Sequence, residues 1–148
     1  MHALVFLMML LIGGEARAVD VNQCRIDVTP VRFGTYNPFA TADARANGVV
    51  AYSCTISTPI SISLDHGGGG SLTTRTMRMG AEVLEYNLYM DAACSIVWGD
   101  GTGGSQIYRE AAPPPDTNVS VPIYGCIRAG QRGRIGGYQE NLAVTINF

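Results

Sequence analysis

Four cysteines, Cys24, Cys54, Cys94 and Cys126, carry the most evident chemistry in this chain. Their spacings are 30, 40 and 32 residues and no C-x-x-C pair occurs. A zinc site would need closely paired ligands, and His66 is the one imidazole beyond His2 that could join them. An even number of cysteines in an exported chain reads instead as two disulfides. Of the three connectivities that four cysteines allow, joining sequence neighbours is favoured: Cys24 with Cys54 and Cys94 with Cys126. Each such loop would stabilise the fold by about 3–4 kcal/mol if its main effect is on the unfolded chain.

Other reactive residue types form no constellation. His66 follows Asp65 and precedes four glycines. Ser61 and Ser63 fall on a strand pattern, away from any G-x-S-x-G elbow. Asp91, Asp100 and Asp116 lack the regular acidic spacing of a calcium loop. Tyr86, Tyr89 and Trp98 have the makings of a sugar platform, but at these spacings they read as core or cross-strand aromatics. No catalytic residue, metal ligand, cofactor or small-molecule substrate is therefore assigned, and the chain is not read as an enzyme.

The compartment follows from the first eighteen residues. Ala3 to Ile12 is an unbroken apolar run, Gly13-Gly14 breaks it, and Ala16-Arg17-Ala18 fits a small-x-small cleavage pattern. The run is too short to span a bilayer. We read residues 1–18 as a secretory signal peptide and residues 19–148 as one mature domain. Ten arginines, no lysine and twelve acids give a formal charge of −2. No basic block is visible, so nucleic-acid binding has no electrostatic footprint.

The elements that would position these residues are strands almost throughout. Cys24, Ile26 and Val28 alternate with Arg25 and Asp27, then Pro30 shifts the apolar phase to Val31 and Phe33. A loop is expected from Asn37 to Gly48. Further strands are expected over Val50–Ile56, Ile60–Leu64, Met77–Met79, Leu84–Met90, Ser95–Trp98 and Val119–Ile123. Gly67–Gly70, Gly99–Gly104 and Arg128–Gly137 read as connections. The last eight residues alternate once more: Leu142, Val144, Ile146 and Phe148 on one face, Asn141, Ala143, Thr145 and Asn147 on the other. Seven or eight strands without an amphipathic helix define an all-β sandwich. The terminal strand, with its apolar face, needs a neighbour for its backbone groups.

Several stretches resemble one family. Val31-Arg32-Phe33-Gly34-Thr35-Tyr36, Tyr86-Asn87-Leu88-Tyr89-Met90-Asp91, Val97-Trp98-Gly99-Asp100-Gly101-Thr102-Gly103, Val121-Pro122-Ile123-Tyr124-Gly125 and the closing Gly137-Tyr138 with Val144-Thr145-Ile146-Asn147-Phe148 are similar, in order, to the spore coat protein U family. This family includes subunits of archaic chaperone–usher pili, bacterial surface fibres used in biofilms. The resemblance implies an incomplete immunoglobulin-like sandwich lacking its final strand, which a periplasmic chaperone and then a neighbouring subunit would supply by β-augmentation. It implies an outer-membrane usher as a further partner, and a route through the periplasm to the cell surface. Ile26 and Val28 would line the open groove with Leu142, Val144, Ile146 and Phe148. Shaft subunits of the family carry a donor segment ahead of the first cysteine. Cleavage after Ala18 would leave Val19–Gln23 for that task, extending about 17 Å at most. The expectation is thus a structural or adhesive subunit of a fibre or coat, at its tip or in an accessory place. The alternative is a free-standing secreted carbohydrate-binding module whose sandwich is complete by itself.

Overall fold

A computed structural model describes residues 3–10, 19–20 and 23–148, with side chains from residue 23 onward. In chain order the strands are β1 (Ala3–Leu10), β2 (Val19–Asp20), β3 (Cys24–Thr29), β4 (Ala44–Cys54), β5 (Ile60–Leu64), β6 (Arg75–Met79), β7 (Glu82–Tyr89), β8 (Tyr108–Glu110), β9 (Val119–Ile127) and β10 (Glu140–Asn147). They form two sheets, ordered β1-β10-β5-β8 and β2-β3-β4-β9-β7-β6. Every ladder is antiparallel. The fold is an immunoglobulin-like β-sandwich, as the strand pattern and the family resemblance both indicate.

The period-two pattern explains which face of each strand is inward. Strand β3 alternates buried and exposed along its whole length, and β5 and β10 repeat that alternation. Ile60, Ile62, Leu64, Leu142, Val144 and Ile146 of the smaller sheet meet Ile26, Val28, Val50, Tyr52, Leu84, Leu88 and Ile123 of the larger one in a single core. Trp98 is wholly buried between them. Its indole Nε1 donates to the Ile62 carbonyl at 2.9 Å, and its backbone N–H donates to Leu88 at 3.0 Å, so one residue fastens both sheets.

Some boundaries differ from the sequence reading. The stretch expected as loop up to Gly48 already pairs with β9 from Ala44, so β4 starts earlier than Val50. Its first residues alternate Ala44, Ala46 and Gly48 with Arg45 and Asn47, side chains too small to mark an inward face clearly. Strand β9 likewise runs past Ile123 to Ile127, and the short β8 went unread. Ser95–Trp98 forms no strand of its own; Val97 and Trp98 make single bridges to Tyr89 and Gln106. Residues 3–10, read as the apolar centre of a leader, form a strand here. The expected cleavage pattern at Ala16-Arg17-Ala18 lies outside the described residues.

The phase slip at Pro30 has a structural cause. Strand β3 stops at Thr29, yet Val31 beyond it is buried. The chain there crosses closely over Gly48: a Cβ at Gly48 would stand 2.6 Å from the Thr29 carbonyl oxygen and 2.9 Å from the Val31 amide nitrogen. Backbone atoms cannot swing aside, so only glycine fits. Gly48→Ala should therefore lower stability by about 1–3 kcal/mol, measured by urea unfolding; an unchanged midpoint would refute this packing.

Candidate functional site

Strand β10 has two edges with different partners. On one, Val144, Thr145, Ile146 and Asn147 pair with Leu64, Ser63, Ile62 and Ser61 of β5. On the other, β1 runs antiparallel along all of β10, from Ala3 opposite Asn147 to Leu10 opposite Glu140. The two edges are therefore unequally supported. Residues 140–143 have no β5 residue opposite them, so their ladder lies with β1.

The loop after β5 compensates in part. The Asp65 carboxylate accepts from the Ala143 amide at 2.9 Å, and the Asp65 N–H donates to the Ala143 carbonyl at 3.1 Å. The Gly68 amide donates to Glu140 Oε1 at 2.9 Å. Gly67 sits at φ 73°, and a Cβ there would come within 2.8 Å of the Asn141 carbonyl oxygen. The glycine run expected as a plain surface connection thus clamps the start of β10, and no helix follows it to make a phosphate site.

The apolar row of β10 is inward. Leu142, Val144 and Ile146 are 1%, 0% and 0% exposed with β1 in place. Phe148 is half-buried against the same core. Ile26 and Val28 are buried in this core too, but from the opposite sheet, where β3 pairs with β4. No ladder joins β3 to β10; the expected groove residues share a core while standing on facing walls. Backbone of Val19 and Asp20 pairs with Ile26 and Arg25 of β3, along its outer edge.

A buried cation stiffens the floor of this site. Arg75 is completely buried, and among the described residues its guanidinium bonds carbonyl and amide oxygens. Instead Nε donates to the Asp65 carbonyl at 2.9 Å, and the terminal nitrogens donate to Trp98 O at 2.8 Å, Leu64 O at 3.4 Å and Asn87 Oδ1. Burial holds its pKa below the usual arginine value. Asn87 passes the interaction on, donating from Nδ2 to the Leu72 carbonyl at 3.0 Å. Sequence reading missed Arg75; an arginine between threonines in a strand gives no sign of burial.

The remaining candidates are structural. Cys24 is bonded to Cys54 directly across the β3–β4 ladder, and Cys94 to Cys126 of β9. Tyr86 and Trp98 are core residues, so they do not offer a sugar platform, and Tyr89 is only half-buried. Asp91 and Asp100 each serve a local turn. Asp91 accepts from the Ile96 amide at 2.7 Å and from Ser95, while Asp100 accepts from the Thr102 hydroxyl and amide. Among the described residues no group of three or more His, Cys, Asp or Glu lies close enough to hold a metal ion.

The structure is an immunoglobulin-like β-sandwich in which β1 pairs along the full length of β10. Residues 14–145 match the family model described as the Spore Coat Protein U domain. The chain is 30% identical over 131 residues to Protein U of Myxococcus xanthus, covering 80% of this chain and 71% of that protein. It therefore belongs to the Spore Coat Protein U domain family. Among solved structures it resembles a chain from the crystal structure of the CsuC–CsuE chaperone–tip adhesion subunit pre-assembly complex of archaic chaperone–usher Csu pili of Acinetobacter baumannii. The TM-score is 0.54 at 17% identity, over 98% of this chain and 40% of that one. At this identity the likeness is one of fold, and the chain spans less than half of its structural neighbour.

The Asp91 turn gives a pH test. Hydrogen bonds from the Ile96 amide, then from Ser95, hold its pKa below the ordinary carboxylate value. A depressed folded pKa adds stability above the carboxylate range, and that stability disappears as pH falls through the lowered value. Asp91→Ala should lower the melting temperature at about pH 7, with the difference closing by about pH 2. A difference that persisted undiminished in acid would show that the carboxylate charge is not what holds the loop.

Proposed function

We propose that the chain is a non-enzymatic, exported subunit of a surface fibre or coat, assembled through chaperone and usher by donor-strand exchange. The observation that carries this reading is the edge of β10. It takes an antiparallel strand over eight register pairs and turns Leu142, Val144 and Ile146 inward beneath it. Backbone hydrogen bonds supply affinity in such pairing, and alternate side-chain positions fix its register. The matched family and the fold of the Csu pre-assembly complex support the same assignment.

In this reading residues 1–18 are a signal peptide, and residues 19–148 pass through the periplasm to the cell surface. A periplasmic chaperone first covers β10, and a neighbouring subunit replaces it after delivery to the usher. A tip or accessory place is supported by β2: Val19 and Asp20 pair with β3 of their own domain. That backbone is occupied at home and would have to be released before it could donate elsewhere. The two disulfides belong to the larger sheet, Cys24–Cys54 across β3 and β4 and Cys94–Cys126 from the turn after β7 to β9.

Coexpression with a chaperone of this class tests the assignment. Ile146→Asp places a charge on the inward row, where it would be buried without a partner. The recovered chaperone complex should fall by about tenfold or more. Thr145→Asp, on the other face, should leave it within about twofold. Equal recovery for both substitutions would refute the assignment of β10 as the captured strand.

A synthetic donor-type strand should likewise raise the melting temperature of the mature domain, whereas a peptide copying Val19–Gln23 should not stabilise a second subunit. Growth of long fibres from the mature domain alone, through its own N-terminus, would replace the tip or accessory placement with a shaft role.

A further inference from the structure

We propose that Cys94 is a site of thiol–disulfide exchange: the Cys94–Cys126 bond opens and closes through Cys94 Sγ, while Cys24–Cys54 stays shut. Three observations on the outer face of the larger sheet carry the inference. The first is access. Cys24 and Cys54 are each 2% exposed and Cys126 is 7% exposed, whereas Cys94 is half-buried. Cys94 and Cys126 both line a cleft of about 330 Å³, together with Arg45, Asn47 and Tyr124. An external sulfur can therefore reach this bond, and reaches it at Cys94. The second is charge. Arg45 of β4 stands opposite Cys126 of β9 in the ladder. Its guanidinium donates to the Ala92 carbonyl at 2.6 Å and to Cys94 Sγ at 3.5 Å. A guanidinium so placed favours the thiolate of Cys94 over its thiol. Among the described residues no carboxylate lines the cleft, and Asp91 of the same turn directs its own to Ser95 and Ile96. The third is the backbone. Cys94 sits at φ 58°, in the left-handed region that residues other than glycine occupy at a cost. The bond to Cys126 holds it there, and opening the bond lets it relax. Cys24 and Cys54 instead face each other in an ordinary ladder.

The chemistry runs through one sulfur in both directions. An external thiolate attacks Cys94 Sγ; a mixed disulfide forms, the Cys94–Cys126 bond breaks, and Cys126 leaves as a thiolate that takes a proton from water. A second external thiolate attacks the external sulfur of the mixed disulfide. Cys94 then leaves as a thiolate beside Arg45, and the two external thiols depart joined as a disulfide. Two electrons have passed from those thiols to the protein. In the closing direction the Cys94 thiolate attacks an external disulfide, and Cys126 displaces the external thiol from Cys94. The partner is therefore a thiol or disulfide able to present one sulfur to the Arg45 cleft. Exposed and strained disulfides are the labile ones, and of the two in this chain only Cys94–Cys126 is either.

The test uses the purified protein with both disulfides formed. It is treated with glutathione, quenched by alkylation at intervals, and mapped by peptide mass. Cys94 and Cys126 should be released at least about tenfold faster than Cys24 and Cys54, and the trapped mixed disulfide should sit on Cys94. A protein dithiol of the thioredoxin class is run beside glutathione; whichever opens the bond faster per thiol names the class of partner, and either supports the proposal. Cys126→Ser and Cys94→Ser then leave one thiol each. With an uncharged aromatic disulfide, Cys94 in the first variant should react at least about tenfold faster than Cys126 in the second. Adding Arg45→Gln to Cys126→Ser should slow Cys94 by about threefold or more and reduce its thiolate absorbance at neutral pH, and Arg45→Lys should restore both. Should a serine variant fail to fold, the map of the wild-type mixed disulfide decides alone. Equal opening of the two disulfides, or glutathione trapped first on Cys126, Cys24 or Cys54, overturns the proposal.

Discussion

A strand between two neighbours has its backbone groups satisfied on both edges, and β10 stands between β5 and β1. Strand β5 covers Val144 to Asn147, the loop after it reaches Ala143 and Glu140, and β1 pairs with the far edge along its whole length. This asymmetry governs the core as well as the ladder. Leu142, Val144 and Ile146 contribute a large share of the smaller sheet's inward face, and burial of each such side chain is worth about 1.5–3 kcal/mol. If the far edge is empty, the row loses its cover and the backbone loses its partners at once. Folding and assembly are then the same event for this part of the molecule.

The rest of the domain needs cross-links that do not depend on the far edge of β10. Trp98 and Arg75 meet that need. Trp98 joins the two sheets through Ile62 and Leu88. Arg75 gathers the carbonyls of Leu64, Asp65 and Trp98 around one buried guanidinium. A buried cation without these acceptors would be costly, so the loops that supply them are locked in place. Asp65 stands at the meeting point. Its carbonyl accepts from Arg75 while its carboxylate accepts from Ala143 of β10. The buried arginine and the start of β10 are coupled through a single residue.

What the sequence disclosed follows from what periodicity can report. Half-buried strands such as β3, β5 and β10 write their faces directly into alternating side chains, and their positions were legible. The first part of β4 was not, because Ala44 and Ala46, which pack against the core, are small and Gly48 has no side chain, so their inward face is faint in the sequence. Gly48 itself is there for the close passage of Thr29 and Val31, a tertiary requirement that no local pattern carries. The inward row of β10 could be read, and so could its need for a neighbour. That Ile26 and Val28 stand on the facing wall, and not beside it, required the sheet order.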